Sequence, residues 1–260
     1  MDQSPQSLEK PMPAHKLFVH GVPDSPDVWD PLKAALAPDN AVIHAPALPG
    51  FTRPPPSNFV PTKESYTDWL IEEIARIHAV CGPVDIVGHD WGALLTLRAA
   101  SLRPELIRSW AVSGAVIHPD YRGHSTARQW ATPLLGECVM AITTANFLEK
   151  ALIKGGLPSQ IAQSEIQYWN RAKRQCTLTL YRSAKGLSFT GDWLTDLKHL
   201  PEKGLVLWGE NDPYVDVKFG RDFAERQSVP FHVVENTGHW MIAEKPEAAL
   251  PHLRALWEGQ

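Results

Sequence analysis

The chain has 260 residues, 43% of them hydrophobic and 21% charged, with a formal net charge of -4; it is long enough to bury a substantial core, as one large α/β domain or two small ones. With no long block of Lys and Arg it has no electrostatic footprint for nucleic acid or an anionic membrane, and a small neutral partner suits it better. Three cysteines, Cys81, Cys138 and Cys176, lack C-x-x-C spacing, which argues against a disulfide framework or a zinc site, and nothing in the pattern calls for a metal or another cofactor.

In chain order, residues 1–14 are a polar segment without a strand pattern. The start MDQSPQSLEKPMPAHK lacks the basic opening and apolar centre of a signal peptide, and no apolar run approaches the roughly 18 residues of a membrane helix, so a cytoplasmic location is expected. Six short apolar runs then alternate with longer helical stretches: KLFVH (16–20), AVIHA (41–45), VDIVG (84–88), SWAVSGAV (109–116), GLVLWG (204–209) and FHVVE (231–235). That alternation predicts an α/β fold, a mostly parallel sheet of about six strands covered on both faces. Between the second and third runs, Tyr66, Leu70, Ile74 and Ile77 recur at helical spacing, on a helix that opens after Pro61 and Thr62. The tail KPEAALPHLRALWEG reads as a closing helix interrupted or restarted at Pro251.

The alternation fails over residues 117–195. This region is rich in helix formers and aromatics (Tyr121, Trp130, Tyr168, Trp169, Tyr181, Trp193) and is broken by Pro133, Pro158 and the Gly155-Gly156 pair. It is expected to form a helical cap, inserted into a core of residues 15–116 and 196–260, over the carboxyl edge where open α/β sheets place ligands. Surface helices extending the core are the plainer alternative.

VDIVGHDWGALLTLRAAS (84–101) combines a strand, a G-x-D-x-G turn and a helix, the context of a nucleophile elbow. Gly88 and Gly92 keep the turn open and Asp90 stands at its apex; alone, an Asp between glycines would read as a turn residue or helix cap. After the fifth strand GENDPYV offers Glu210, Asp212 and Asp216. After the sixth NTGHW offers His239, while the other histidines read as surface or packing residues. FVHGVP ends the first strand in a His-Gly turn that aims the Val22 backbone N–H toward the same point as that of Trp91, a pair suited to an oxyanion hole.

With these features in this order, residues 15–257 resemble the α/β-hydrolase fold superfamily, and GHDWG resembles its aspartate-nucleophile branch, the epoxide hydrolases and the nearby haloalkane dehalogenases. The resemblance implies Asp90 as nucleophile, Asp212 as acid, His239 as base, and Val22 and Trp91 as oxyanion donors. It also implies an N-terminal antiparallel hairpin for which this sequence shows no pattern. The strand around Val42 and Ile43 is then expected near an exposed edge, which invites cover from the N-terminal segment or pairing into a homodimer.

A carboxylate suits a saturated carbon better than an acyl one. Serine attacking such a carbon would leave an ether, whereas Asp90 would leave an alkyl ester that water activated by His239 can cleave. The leaving group divides the branch: an epoxide's alkoxide needs a hydroxyl donor, a halide needs N–H donors. LTLYRSAK resembles the cap segment that carries one such tyrosine in epoxide hydrolases and points to Tyr181; Tyr168 or Tyr121 could be a second donor. For halide, Trp91 is in place and Trp130, Trp169 or Trp193 could join it, but Val22 stands where many dehalogenases have Asn. The expected function is therefore hydrolysis of a small neutral apolar epoxide, with haloalkane dehalogenation as the alternative and a non-catalytic ligand-binding homologue as a third reading.

Overall fold

The computed structural model describes residues 15–39 and 41–258; the N-terminal segment and any hairpin in it lie outside the described residues. The strands are β1 (His15–Val19), β2 (Val42–His44), β3 (Val84–His89), β4 (Ile107–Ser113), β5 (Gly204–Gly209) and β6 (Phe231–Val234). They form one sheet in the order β2-β1-β3-β4-β5-β6, with every neighbouring pair parallel. Every residue of β3 and β5 is buried, as continuous apolar runs covered on both faces should be. β2, at the edge, is half-buried throughout.

The covering helices follow from capping and periodicity. On the core these are α1 (Asp30–Leu36), α2 (Lys63–Cys81) and α3 (Trp91–Leu102). α2 opens where Thr62 accepts from the Ser65 N–H and buries Tyr66, Leu70, Ile74 and Ile77 at three-to-four-residue spacing. Between β4 and β5 the chain forms α4 (Ser125–Ala131), α5 (Leu135–Ile142), α6 (Ala145–Lys154), α7 (Ser159–Gln167), α8 (Arg171–Ser183) and the short α9 (Asp192–Thr195). The chain returns through α10 (Val217–Gln227) and the short α11 (Met241–Glu244) to α12 (Pro246–Glu258). α12 runs unbroken through Pro251, contrary to the expected interruption. Pro251 and Glu247, whose carbonyl would have received the missing N–H, are both exposed, so water can satisfy the freed acceptor.

Strand register sets where the loops emerge. Val19 of β1 pairs with Gly88 of β3, and His89 with Ser113 of β4, so the turn after β1 and the turn after β3 leave the sheet side by side. Gly209 pairs with Val234 in the same way, which brings together the loops after β5 and β6. At the opposite end of the strands, Asp85 is buried among Lys16, Arg108 and Ser109, which neutralise and hydrogen-bond it.

Candidate active site

Asp90 occupies the turn between β3 and α3 with φ 51°, a left-handed conformation costly for any residue but glycine. The neighbouring glycines are required by close approach. A Cβ on Gly92 would lie 2.0 Å from the Val19 carbonyl oxygen, and one on Gly88 would lie 2.4 Å from the Gly92 oxygen. The Asp90 N–H donates to Ser113 O at 2.9 Å. Its Oδ1 accepts from the Val22 N–H at 2.8 Å, and its Oδ2 lies 3.5 Å from His239 Nε2. The Trp91 amide heads α3, where the helix itself supplies no acceptor.

His239 is held on both sides. Its Nδ1 is 2.7 Å from Asp212 Oδ2, and its amide donates to Gly155 O at 2.9 Å. Asp212 is fixed in turn by the N–H groups of Tyr214 and Val215, at 2.8 and 3.1 Å, on its other oxygen. The two neighbouring carboxylates are occupied elsewhere: Glu210 accepts from Asn236 N, and Asp216 caps α10. Burial alone would favour neutral imidazole, but the carboxylates of Asp212 and Asp90 outweigh it and push His239 up to about 10. For Asp90, burial pushes upward, and the bond and charge of His239 with the Val22 amide bring it below its ordinary value. The resting site is thus a carboxylate–imidazolium–carboxylate array.

These groups face a cavity of about 620 Å³ bounded by Val22 and Asp90 on one side and by α4, α5 and α6 on the other. Among the described residues no lysine or arginine lines it. Arg98, the first arginine after Asp90, is bound to Asp196 instead. Tyr181 lines the cavity, is 1% exposed, and packs edge-on against Trp91 and Trp130 at centroid distances of 5.3 and 5.0 Å. Burial, and then the charge of Asp90, hold its hydroxyl protonated far above ordinary pH.

The other candidate donors fall differently. Tyr168 is half-buried at the end of α7, beneath the Lys173 ammonium and away from the cavity, which corrects its assignment as a second donor. Tyr121 donates to the Tyr214 carbonyl. The Trp169 N–H is bound to Thr143 O. Trp193 stacks on Phe189 outside the cavity. Trp130 does line the cavity, and its indole N–H, like that of Trp91, is buried without a partner.

His124 was not singled out by the sequence, yet it lines the cavity beside Tyr181. Its Nδ1 accepts from the Ala127 N–H at 3.2 Å, which leaves the proton on Nε2, and burial lowers its pKa to about 4. It is therefore a neutral N–H donor. The available signal was its place before the helix start STARQW, which reads as an ordinary cap. Tyr214, edge-on to His239 at 5.0 Å, and Trp240 complete the wall.

The strand order, the elbow and the histidine loop define an α/β hydrolase, and residues 17–250 match the alpha/beta hydrolase family. The chain belongs to that family. It is 24% identical to the (E)-2-((N-methylformamido)methylene)succinate hydrolase of Acinetobacter baylyi over 93% of this chain and 89% of that one. Among solved structures, it is similar to 2-hydroxy-6-oxo-6-phenylhexa-2,4-dienoate hydrolase from Rhodococcus sp. strain RHA1, with TM-score 0.77, 21% identity, and 96% and 92% of the two chains covered. It is also similar to a loop variant of the haloalkane dehalogenase DbeA from Bradyrhizobium elkanii, with TM-score 0.76, 22% identity, and 96% and 91% covered. At these identities the likeness carries the fold.

Proposed function

We propose that this hydrolase opens epoxides to vicinal diols through an alkyl ester on Asp90. The observation that carries the reading is a carboxylate, not a hydroxyl, at the elbow, ion-paired to His239 and facing an apolar cavity that also presents Tyr181 and neutral His124. One Asp90 oxygen attacks a ring carbon, the C–O bond breaks, and the alkoxide takes a proton through the Tyr181 hydroxyl, with the Nε2–H of His124 as second donor. The His239 imidazolium restores that proton, leaving neutral imidazole. Esterification also removes the Asp90 charge that held His239 protonated, so the histidine becomes a base when water must be activated. Water then attacks the Asp90 carbonyl carbon, with Val22 and Trp91 as oxyanion donors. The diol departs as His239 regains its proton and Asp90 its charge. The insertion between β4 and β5 acts as the cap of this site.

Dehalogenation is the second reading, favoured by the unpartnered indole N–H groups of Trp91 and Trp130 on either side of Tyr181. Trp29 and Trp257, away from the cavity, also have unpartnered N–H groups, so this feature weighs less than the hydroxyl. Turnover, rather than ligand binding alone, is supported by the contacts that Asp212 and Asp90 make with His239.

Mass spectrometry of a His239→Gln variant treated with an epoxide should show the chain plus one epoxide, because the ester forms but is not cleaved. An unmodified mass, with an epoxide that the parent protein turns over, would reject the covalent route. Diol formation and halide release measured side by side on the parent decide between the leaving groups.

A further inference from the structure

Five of the eight large hydrophobic side chains that stand exposed among the described residues fall on one short stretch: Leu134, Leu135, Ile142, Phe147 and Ile153. They belong to α5 and α6 and the residue before α5. Ile142 and Phe147 also line the cavity, although 76% and 63% exposed, so they mark its mouth. Behind them, Val139, Leu148 and Leu152 line the interior from the same two helices. An apolar track thus runs from the reactive end at Asp90 and His239 out to solvent. Exposed apolar side chains that continue into a cavity lining are one mark of a ligand-binding groove. At the reactive end the His239 imidazolium is already shared by Asp90 and Asp212, and with no lysine or arginine in the lining a carboxylate substrate would face Asp90 without a cation of its own.

We infer that the substrate is an uncharged epoxide with a long unbranched apolar chain, the ring at Asp90 and the chain leaving between α5 and α6 so that its far end rests on Ile142 and Phe147. This rests on the proposed reaction for the ring and on the track alone for the chain. Carboxylates next to the reacting carbon are excluded, in contrast to the dicarboxylate named for the Acinetobacter relative.

The experiment compares butene oxide, octene oxide and tetradecene oxide, each below its aggregation concentration, with glycidate. kcat/KM is expected to rise with chain length by up to about fourfold per buried methylene, and glycidate to fall far below the neutral epoxides. Ile142→Ser and Phe147→Ser should lower the ratio of long- to short-chain kcat/KM by roughly tenfold, the loss of a few methylene contacts. A flat chain-length profile, an unchanged ratio in both variants, or glycidate matching butene oxide overturns the inference. Calorimetric titration with N-alkylacetamides, which have no leaving group, separates it from the reaction. Affinity rising with chain length in a protein that opens no epoxide upholds the track and rejects the chemistry, whereas affinity independent of length rejects the track.

Discussion

Asp90 and His239 were legible in the sequence because each sits on a glycine-bearing turn directly after an apolar run, and parallel strands deliver such turns to one edge. Cavity-lining side chains carried by helices were not, because a helix shows a different face at each residue and spacing does not reveal which face meets a distant strand. Tyr181 was found by resemblance, Tyr168 lies on the wrong face, and His124 looked like a cap. Tyr181→Phe is expected to slow ester formation from an epoxide by roughly a hundredfold or more, with less effect on an alkyl halide; equal loss on both, measured by rapid quench, would argue against proton donation. The acid–base balance also predicts a stability profile. His239 holds its proton to about 10 against an ordinary 6.5. Asp24, pushed up by burial and then by Glu165 and Asp90, holds its proton to about 8 against 3.8. Above about pH 6.5, where the buried histidines His20, His89 and His124 are neutral in both states, these two groups make the folded chain bind more protons than the unfolded chain. Stability falls as pH rises, with the Asp24 loss complete near its folded value and the His239 loss extending to about 10. Melting should drop from about pH 6 to about pH 9, and Asp24→Asn should flatten the lower part of that decline.

At the scale of elements, α7 and α8 are fastened to the turn after β1 by groups that no periodicity announces. Glu165 accepts from both the N–H and the hydroxyl of Ser25 at 2.8 Å, and its other oxygen lies 3.2 Å from Lys173 Nζ. Both side chains are almost fully buried, at 1% and 0%. Three residues earlier in the same turn, the Val22 amide meets Asp90, so the pair braces the backbone that carries this contact. Lys173→Met would strand the Glu165 charge and cost about 3–5 kcal/mol in denaturant unfolding, while Glu165→Gln combined with Lys173→Met should recover most of it. A double variant no better than the single one would mean that shape, not charge, holds the turn. The sequence could not display this pair, because the partners come from two helices and the turn they brace lies some 140 residues away.

For the whole molecule, the sheet was readable because four largely buried central strands and two half-buried edge strands each leave an apolar run. The path of the insertion was not readable, since its helices are fixed by contacts with the core. Those contacts are unevenly distributed. Ser183 on α8 accepts from Lys63 N, Glu165 on α7 holds Ser25, and Gly155 O takes the His239 amide. α5, which bears one side of the mouth, makes its contacts chiefly with α4 and α8. Hydrogen exchange should therefore be slow along α7 and α8 and faster along α5; uniform exchange across the insertion would contradict the uneven attachment.

The Gly155 carbonyl gives that asymmetry a mechanical meaning. A Cβ at Gly155 would come within 2.5 Å of the Trp240 ring, and one at Gly238 within 2.2 Å of the Gly155 oxygen, so backbone there rests directly on backbone. A lid hinged at this point would pull His239 away from Asp90 whenever it opened. The roof over the cavity is accordingly a keystone on the histidine side, and passage in and out is left to the span that carries Ile142 and Phe147.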